Sequence, residues 1–541
     1  VASRICFAII QTLLHINLSH CSCINRLSYR QYKKITQGLC YMRLLITVSM
    51  LLLSFVASAT PFDVRFTEQA TPAADTLVLL AGNNTPLQDE QLRQLAQSEN
   101  FSAATGQSLQ WLAPAAPYQS YKRVLVLGAG NATEHSTHSA AALGAELAKQ
   151  LGGSAAQQVV VDASQINSSL ADTELAAQLA FGATLSAYRF EQYKSNAAVQ
   201  TQRQLTFVVA NAKEAQRRHE QLSAIANGVT LARDLTNEPA MGLAPATFAA
   251  KANELKKLGV KVTVLDEKAL QKNNMGAILA VGRGSARPPR LVIAHWQGSQ
   301  QAPLAIIGKG ITFDTGGYNL KTQADSILRM TSDMAGAAAA LGTIQALAEQ
   351  KARVNVVAVI ALAENMISDR AYLPGDVVNT AAGLSVEIIN TDAEGRLVVA
   401  DALWYAEKHY QPRAMVNIAT LTGAKVTALG SYYAGLFSKD DSLVMQLQQA
   451  GKQVNEQLWR LPLTDEMLPE LKSRIADLRN TGRSAGASTA ALFLQQFVGN
   501  TPWAHIDIAG NALANSSKGI TPEGATGYGV QLLTEWSLTQ P

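Results

Sequence analysis

Asn390-Thr391-Asp392-Ala393-Glu394-Gly395-Arg396-Leu397 brings two carboxylates, a glycine and an arginine together where a helix is expected to begin. Such a set can hold a metal ion and an anion side by side. In an extended stretch, side chains two apart point the same way, so Asp392 and Glu394 are expected to converge on one cation. The run 397–406 reads as a mostly buried helix whose first turn offers unpaired N–H groups and a positive dipole end. Arg396 then sits where an anion is welcome. The plainer reading is that both acids merely decorate a helix start, where acidic side chains are common for dipole reasons alone.

A second cluster weighs against that plainer reading. It follows the apolar strand expected at 304–307 and runs from Lys309 through Asp314, two glycines and Lys321, with Asp333 before a helix of small residues starting at Ala335. Strand ends in open α/β sheets are where sites are built. A strand-end lysine is usually a solvated charge, and a lone aspartate before two glycines is usually a turn. Two lysines and two aspartates in so apolar a stretch must each be paired or wet. Lys309, Asp314, Asp333, Asp392 and Glu394 are therefore ligand candidates, with Lys321 and Arg396 as further cations.

The stretches GKGITFDTGGYNLK, TSDM and NTDAEGRL closely resemble the leucyl aminopeptidase family, whose members are two-metal exopeptidases. The resemblance continues through AENMISDRAYLPGDVV, ATLTGA, RSAGASTAALFLQQFV and PWAHIDIAG, spanning most of residues 230–541. It implies one metal held by Asp314, Asp392 and Glu394, and a second held by Lys309, Asp314, Asp333 and Glu394. Asp314 and Glu394 would bridge the pair. Lysine ligates only as the neutral amine, so the metal competes with a proton and binding weakens at low pH. Lys321 would stabilise the developing oxyanion, and Arg396 would hold a bicarbonate ion that shuttles the proton.

Met330, Thr420, Leu421, Thr422 and Gly423 would wall the pocket for the substrate's first side chain, which favours leucine-like termini. The mostly oxygen ligand set suits Mn²⁺ or Mg²⁺, while the amine admits Zn²⁺ or Co²⁺. The family further implies a homo-hexamer acting on peptides. A narrower dipeptidase of the cysteinylglycine type, and a DNA-binding accessory role known among relatives, are the alternatives. Departures from the family pattern are Thr315 after Asp314, the pair Tyr318-Asn319, and Ala335 where glycine or cysteine is more usual.

Other motifs lead nowhere. Asp314-Thr315-Gly316 resembles an aspartic protease triplet, yet no second such triplet exists. Gly482-Arg483-Ser484-Ala485-Gly486 fits a nucleophile elbow, but polar residues rather than an apolar strand precede it. Gly128-Ala129-Gly130 lacks the third glycine of a dinucleotide turn. His135, His138 and His219 are expected at the surface, and His505, in an apolar run, as a hydrogen-bonded core residue.

Of 541 residues, 45 are basic and 41 acidic. Arg4, Arg26, Arg30, Lys33, Lys34 and Arg43 precede residue 60 and no acid does, so the remainder is slightly acidic and argues against nucleic acid. Met42-Arg43, the apolar run 44–56 and Ala57-Ser58-Ala59 read as a signal peptide, too short for a stable membrane anchor. This predicts an exported protein, periplasmic or secreted, with 1–41 as upstream translation. All four cysteines, Cys6, Cys21, Cys23 and Cys40, lie in this leader.

The elements that must position the site follow an α/β pattern in two domains. After the leader at 1–59, a smaller N-terminal α/β domain is expected at 60–210, with strands near 76–80, 123–127, 159–162 and 205–210. A connecting helix occupies 211–236. The larger C-terminal catalytic domain, 237–541, is expected to carry a central mixed sheet with strands near 261–265, 290–294, 304–307, 354–360, 386–389 and 414–418.

Overall fold

The computed structural model describes residues 62–69, 74–83, 87–196 and 202–540. The leader expected at 1–59, with its four cysteines, lies outside these residues. No described helix is long and apolar enough to cross a membrane.

Valine- and leucine-rich segments build a six-stranded N-terminal sheet in the order Phe62–Thr67, Arg203–Val208, Gln158–Asp162, Thr76–Gly82, Arg123–Gly130, Ser108–Leu112. All neighbours run parallel except the last pair, which is antiparallel. Helices Thr137–Gly152 and Asp172–Ser186 cover one face. They cross at glycines: a Cβ on Gly144 would lie 2.0 Å from the Leu179 carbonyl, and one on Gly182 would lie 1.8 Å from that of Ala141. Helix Glu90–Ser98 places Leu92 against the opposite face.

Helix Ala212–Asn237 leads from this sheet into the second one. Asn211 caps its start by accepting the Glu214 amide at 3.1 Å. It packs on helix Ala335–Glu349 at Gly228 and Gly342, where either added Cβ would strike the other's carbonyl at 2.3–2.4 Å. The small-residue stretch after Asp333 is thus a helix shaped for close approach.

The C-terminal sheet has eight strands in the order Leu458–Arg460, Ala434–Phe437, Trp503–Asp507, Ala414–Ala419, Leu304–Asp314, Asn355–Asn365, Arg290–Gln297, Lys261–Leu265. It is mixed: the four central strands are parallel and the outer pairings include antiparallel ones. Leu304–Asp314 lies in the middle, with apolar clusters on both faces, which is why its sequence is continuously apolar rather than alternating. The segment expected as a strand at 386–389 instead enters a separate three-stranded sheet through Ser385–Glu387. The molecule therefore comprises two α/β domains, each with a central mixed sheet.

Candidate metal centre

Lys309 and Asp314 are five residues apart on one strand, a spacing that sends side chains to opposite faces of a regular strand. Pairing with Asn355–Asn365 runs Ile311 opposite Ala363, then Phe313 opposite Glu364 and Asp314 opposite Asn365. Thr312 is the extra residue of a bulge, and the bulge turns Asp314 to the side that Lys309 already faces. Beyond Asp314 the chain reverses at Gly316, whose φ of +86° suits glycine. The Lys321 amide closes this loop on the Thr315 carbonyl at 3.0 Å.

The eight-residue motif is not extended. Asn390 Oδ1 accepts the Asp392 amide at 2.8 Å and its carbonyl accepts the Ala393 amide at 3.2 Å, making a turn that leads into helix Gly395–Tyr410. Asp392 and Glu394 do converge, through this turn rather than by strand alternation. Carboxylate oxygens of Asp314, Asp392 and Glu394 all lie within 4.8 Å of one another. Gly395 leaves room for the buried lysine: a Cβ there would fall 2.5 Å from Lys309 Nζ.

Lys309 Nζ lies 2.8 Å from Asp333 Oδ1 and 2.9 Å from Glu394 Oε1, and donates to the Thr420 carbonyl at 2.9 Å. Thr420 Oγ1 donates to Asp333 Oδ1 at 2.7 Å. Lys321 Nζ lies 2.9 Å from Asp314 Oδ2 and 2.5 Å from Asp392 Oδ1. Asp314, Asp333 and Glu394 are buried, whereas the Asp392 side chain is 33% exposed.

Burial pushes Glu394 up to about 8, reinforced by Asp314, and Asp333 up to about 6, with Lys309 opposing. Asp392 is raised by burial and then by Asp314. For both lysines burial disfavours the charge, but the facing carboxylates outweigh it and hold each ammonium above the usual lysine range. Four acids in so small and dry a volume thus demand cations. Glu394 Oε2 and Asp333 Oδ2 remain buried without a hydrogen-bond partner.

Several supporting residues have no signal in the sequence because their partners lie far along the chain. Fully buried Asn365 donates from one amide to Asp314 Oδ1 at 2.8 Å and to the Thr391 carbonyl at 2.9 Å. Tyr372 reaches the same carbonyl at 2.8 Å. Thr391 and Asn319 clasp reciprocally: the Thr391 amide donates to Asn319 Oδ1 and the Asn319 amide to Thr391 Oγ1, both at 2.8 Å. Asn480 accepts the Ile389 amide, donates to the Asn390 carbonyl, and offers its own carbonyl to Arg396 Nη1 at 2.9 Å.

Arg396 is buried beside Glu394, and burial lowers its pKa to about 10. Leu421 is partly buried, and Thr422 caps helix Gly423–Leu429 while donating to Asp507 Oδ2 at 2.7 Å. Met330 is partly buried in the 3₁₀ turn Arg329–Ser332 that delivers Asp333. Ser484 is no nucleophile elbow, since it bonds Glu470 at 2.5 Å on an exposed loop. His505 is fully buried and paired with Asn417 at 2.8 Å, as expected of a core histidine.

His135, His138 and His219, expected at the surface, are each partly buried. His135 contacts Ser168 Oγ and the Ala129 carbonyl, His138 lies on a helix against Asn455, and His219 packs on Phe66. The polar sequence around them conceals packing against distant elements.

Buried acids and lysines gathered beside the central parallel strands, with carboxylate oxygens of Asp314, Asp392 and Glu394 close together, define a protein with a candidate metal site in an α/β domain. The catalytic domain of the cytosol aminopeptidase family matches residues 230–534, and the N-terminal domain of that family matches 73–197. A probable cytosol aminopeptidase of Shewanella oneidensis is 48% identical over 493 residues, covering 91% of this chain and 94% of its own. One from Rhizobium etli is 42% identical over 491 residues, covering 88% and 98%. Among solved structures, the bottromycin maturation enzyme BotP in complex with Mn has a TM-score of 0.78 at 33% identity, covering 86% of this chain and 99% of its own. A tomato leucine aminopeptidase mutant has a TM-score of 0.79 at 32% identity, covering 90% and 98%.

The chain belongs to the cytosol aminopeptidase family, the leucyl aminopeptidases. It is a metal-dependent exopeptidase that removes residues from peptide N-termini.

Export is corrected by the same comparison, because the relatives matched over most of this chain are named cytosol enzymes. The inference failed for a chemical reason. A basic start, an apolar run and small residues form a compositional pattern only, and a cysteine-free remainder suits a reducing compartment as well as an oxidising one.

Proposed function

We propose that two divalent ions are held by Lys309, Asp314, Asp333, Asp392 and Glu394, with Asp314 and Glu394 shared between them. The observation that carries this is the meeting of five residues, drawn from three separate segments, in one mostly buried cluster. The residues fit such ions: the donor set is oxygen-rich, and Glu394 Oε2 and Asp333 Oδ2 are buried acceptors with lone pairs to give. Mn²⁺ or Zn²⁺ is the expected pair, and BotP, the similar structure in complex with Mn, supports the former. When bound, the ions would polarise the scissile carbonyl and the attacking water.

The protein's own groups do the rest. Lys321 is held beside Asp314 and Asp392 by the closed loop after Gly316, where its charge can face the oxyanion that develops on the substrate. Lys309 must shed its proton to act as a ligand, so metal loading weakens as pH falls. Arg396 keeps a buried Nε–H without a partner, the donor that an anion such as bicarbonate would take. Met330 and Thr420, Leu421, Thr422 and Gly423 form the wall facing the first side chain, consistent with a leucine-like preference. Assembly as a hexamer is proposed from family likeness.

The test is to chelate the enzyme, restore single divalent ions, and assay aminoacyl anilides. Activity should vanish and return with Mn²⁺ or Zn²⁺. Glu394→Ala should stay inactive under every ion, and wild-type rates in that variant overturn the assignment.

A further inference from the structure

Helix Gly423–Leu429 carries the far end of the proposed side-chain wall, and its only buried residue is a lysine. Short helices are ordinarily held by an apolar face, not by their own propensity. Here Gly423, Ala424, Val426 and Thr427 are exposed, while Lys425 is fully buried. Its Nζ donates to the Gly430 carbonyl at 3.0 Å, to the Ala509 carbonyl at 2.7 Å and to Asn511 Oδ1. All three N–H groups are therefore used, and every partner is a carbonyl oxygen rather than a carboxylate. Burial draws its pKa down to about 8, with Asp507 opposing.

We infer that Lys425 is a positioning residue that sets the shape of the pocket receiving the substrate's first side chain. The inference rests on the reading of Thr420–Gly423 as that pocket's wall. The near end of the wall is tied to the metal cluster, since Thr420 bonds both Lys309 and Asp333. Its middle is tied by Asp507, which accepts the Leu421 amide at 3.1 Å and the Ala509 amide at 3.0 Å. The far end has no fully buried apolar residue, and Lys425 fastens it to the Gly430 turn and to residues 509–511. Asn511 extends the fastening by donating to the Ser431 carbonyl at 3.0 Å. Hydrogen bonds to fixed carbonyls set distance and direction, whereas an apolar contact in the same place would let the helix slide.

The test is steady-state kinetics of K425M and N511A on leucyl, phenylalanyl and alanyl anilides, with metal content measured in parallel. Lys425→Met keeps the length of the stem, and Asn511→Ala removes one acceptor while leaving the lysine in place. The leucine-to-alanine ratio of kcat/KM should shift by about tenfold in K425M, chiefly through KM, at unchanged metal content. Asn511→Ala should shift it in the same direction by less, and it carries the test if K425M does not fold. An unchanged ratio, or an equal fall on all three substrates, refutes the inference. Met330→Ala separates the two readings. If M330A moves the ratio and the other variants do not, Lys425 alone is wrong; if M330A also leaves it unmoved, the wall reading falls and takes this inference with it.

Discussion

Replacing Asn365 with alanine should loosen metal binding without touching a ligand. Its one buried amide holds Asp314 at 2.8 Å and the carbonyl of Thr391, next to Asp392, at 2.9 Å, so two ligand-bearing segments are joined through a single side chain. The bond to the carboxylate is the stronger, about 2 kcal/mol, and the bond to the carbonyl contributes about 1, so stability should fall by roughly 3 kcal/mol. Metal affinity takes a share of this, because the freed carboxylate must be reordered at each binding event. Partners that orient ligands are typically worth about 10- to 100-fold in affinity, or about 1.4 to 2.8 kcal/mol. Calorimetric titration of the chelated protein with Mn²⁺, alongside recovery of leucyl-anilide hydrolysis, reads both quantities. Asn365→Asp should be worse than alanine, since it sets a second carboxylate against Asp314. Loss of stability with metal affinity unchanged would refute the reasoning and leave Asn365 as a core residue only.

Lys321→Ala should lower kcat by about 100- to 1,000-fold while both ions stay bound, and loss of metal would make Lys321 a holder of the site instead. Gly395→Ala puts a Cβ 2.4 Å from Lys309 Cε, so metal stoichiometry by mass spectrometry should drop as Lys309 is displaced; retention of both ions would show the helix start can shift. His505 supplies an acid-stability prediction. Burial lowers its pKa to about 4 against 6.5 unfolded, so the fold favours the neutral ring. Its contribution is present above pH 6.5 and is lost as pH falls toward 4, amounting to about 3 kcal/mol. Urea unfolding from pH 7 to 4 should show a shallower acid loss in His505→Gln, and identical slopes would contradict the assignment.

The strands at 261–265 and 414–418 and the long helix after residue 211 were legible because apolar runs and a spaced helical pattern need no distant partner to be recognised. The candidate ligands stood out for a related reason: acids and lysines in apolar surroundings must find partners wherever they lie. Their directions were not. Asp392 and Glu394 meet because Asn390 folds the chain into a turn, and the extended reading reached the right pairing by the wrong geometry.

The exported location was a misreading of composition, and the histidines taken as surface residues are packed by elements far away in the chain.

Local pattern in the amino-acid sequence was enough for the two α/β domains, residue chemistry was enough to single out five candidate metal ligands, and the family followed from the likeness of the motifs at 308–321, 331–334 and 390–397. Tertiary structure alone decided that Lys309 and Asp314 face one site, through the bulge at Thr312. It also decided that Asn365 holds Asp314, that Asn480 ties the Asn390 turn to Arg396, and that a lysine anchors the helix Gly423–Leu429. Each of these depends on which strand or loop lies alongside, and a hydrogen bond between residues 50 to 90 positions apart leaves no mark on the sequence around either partner.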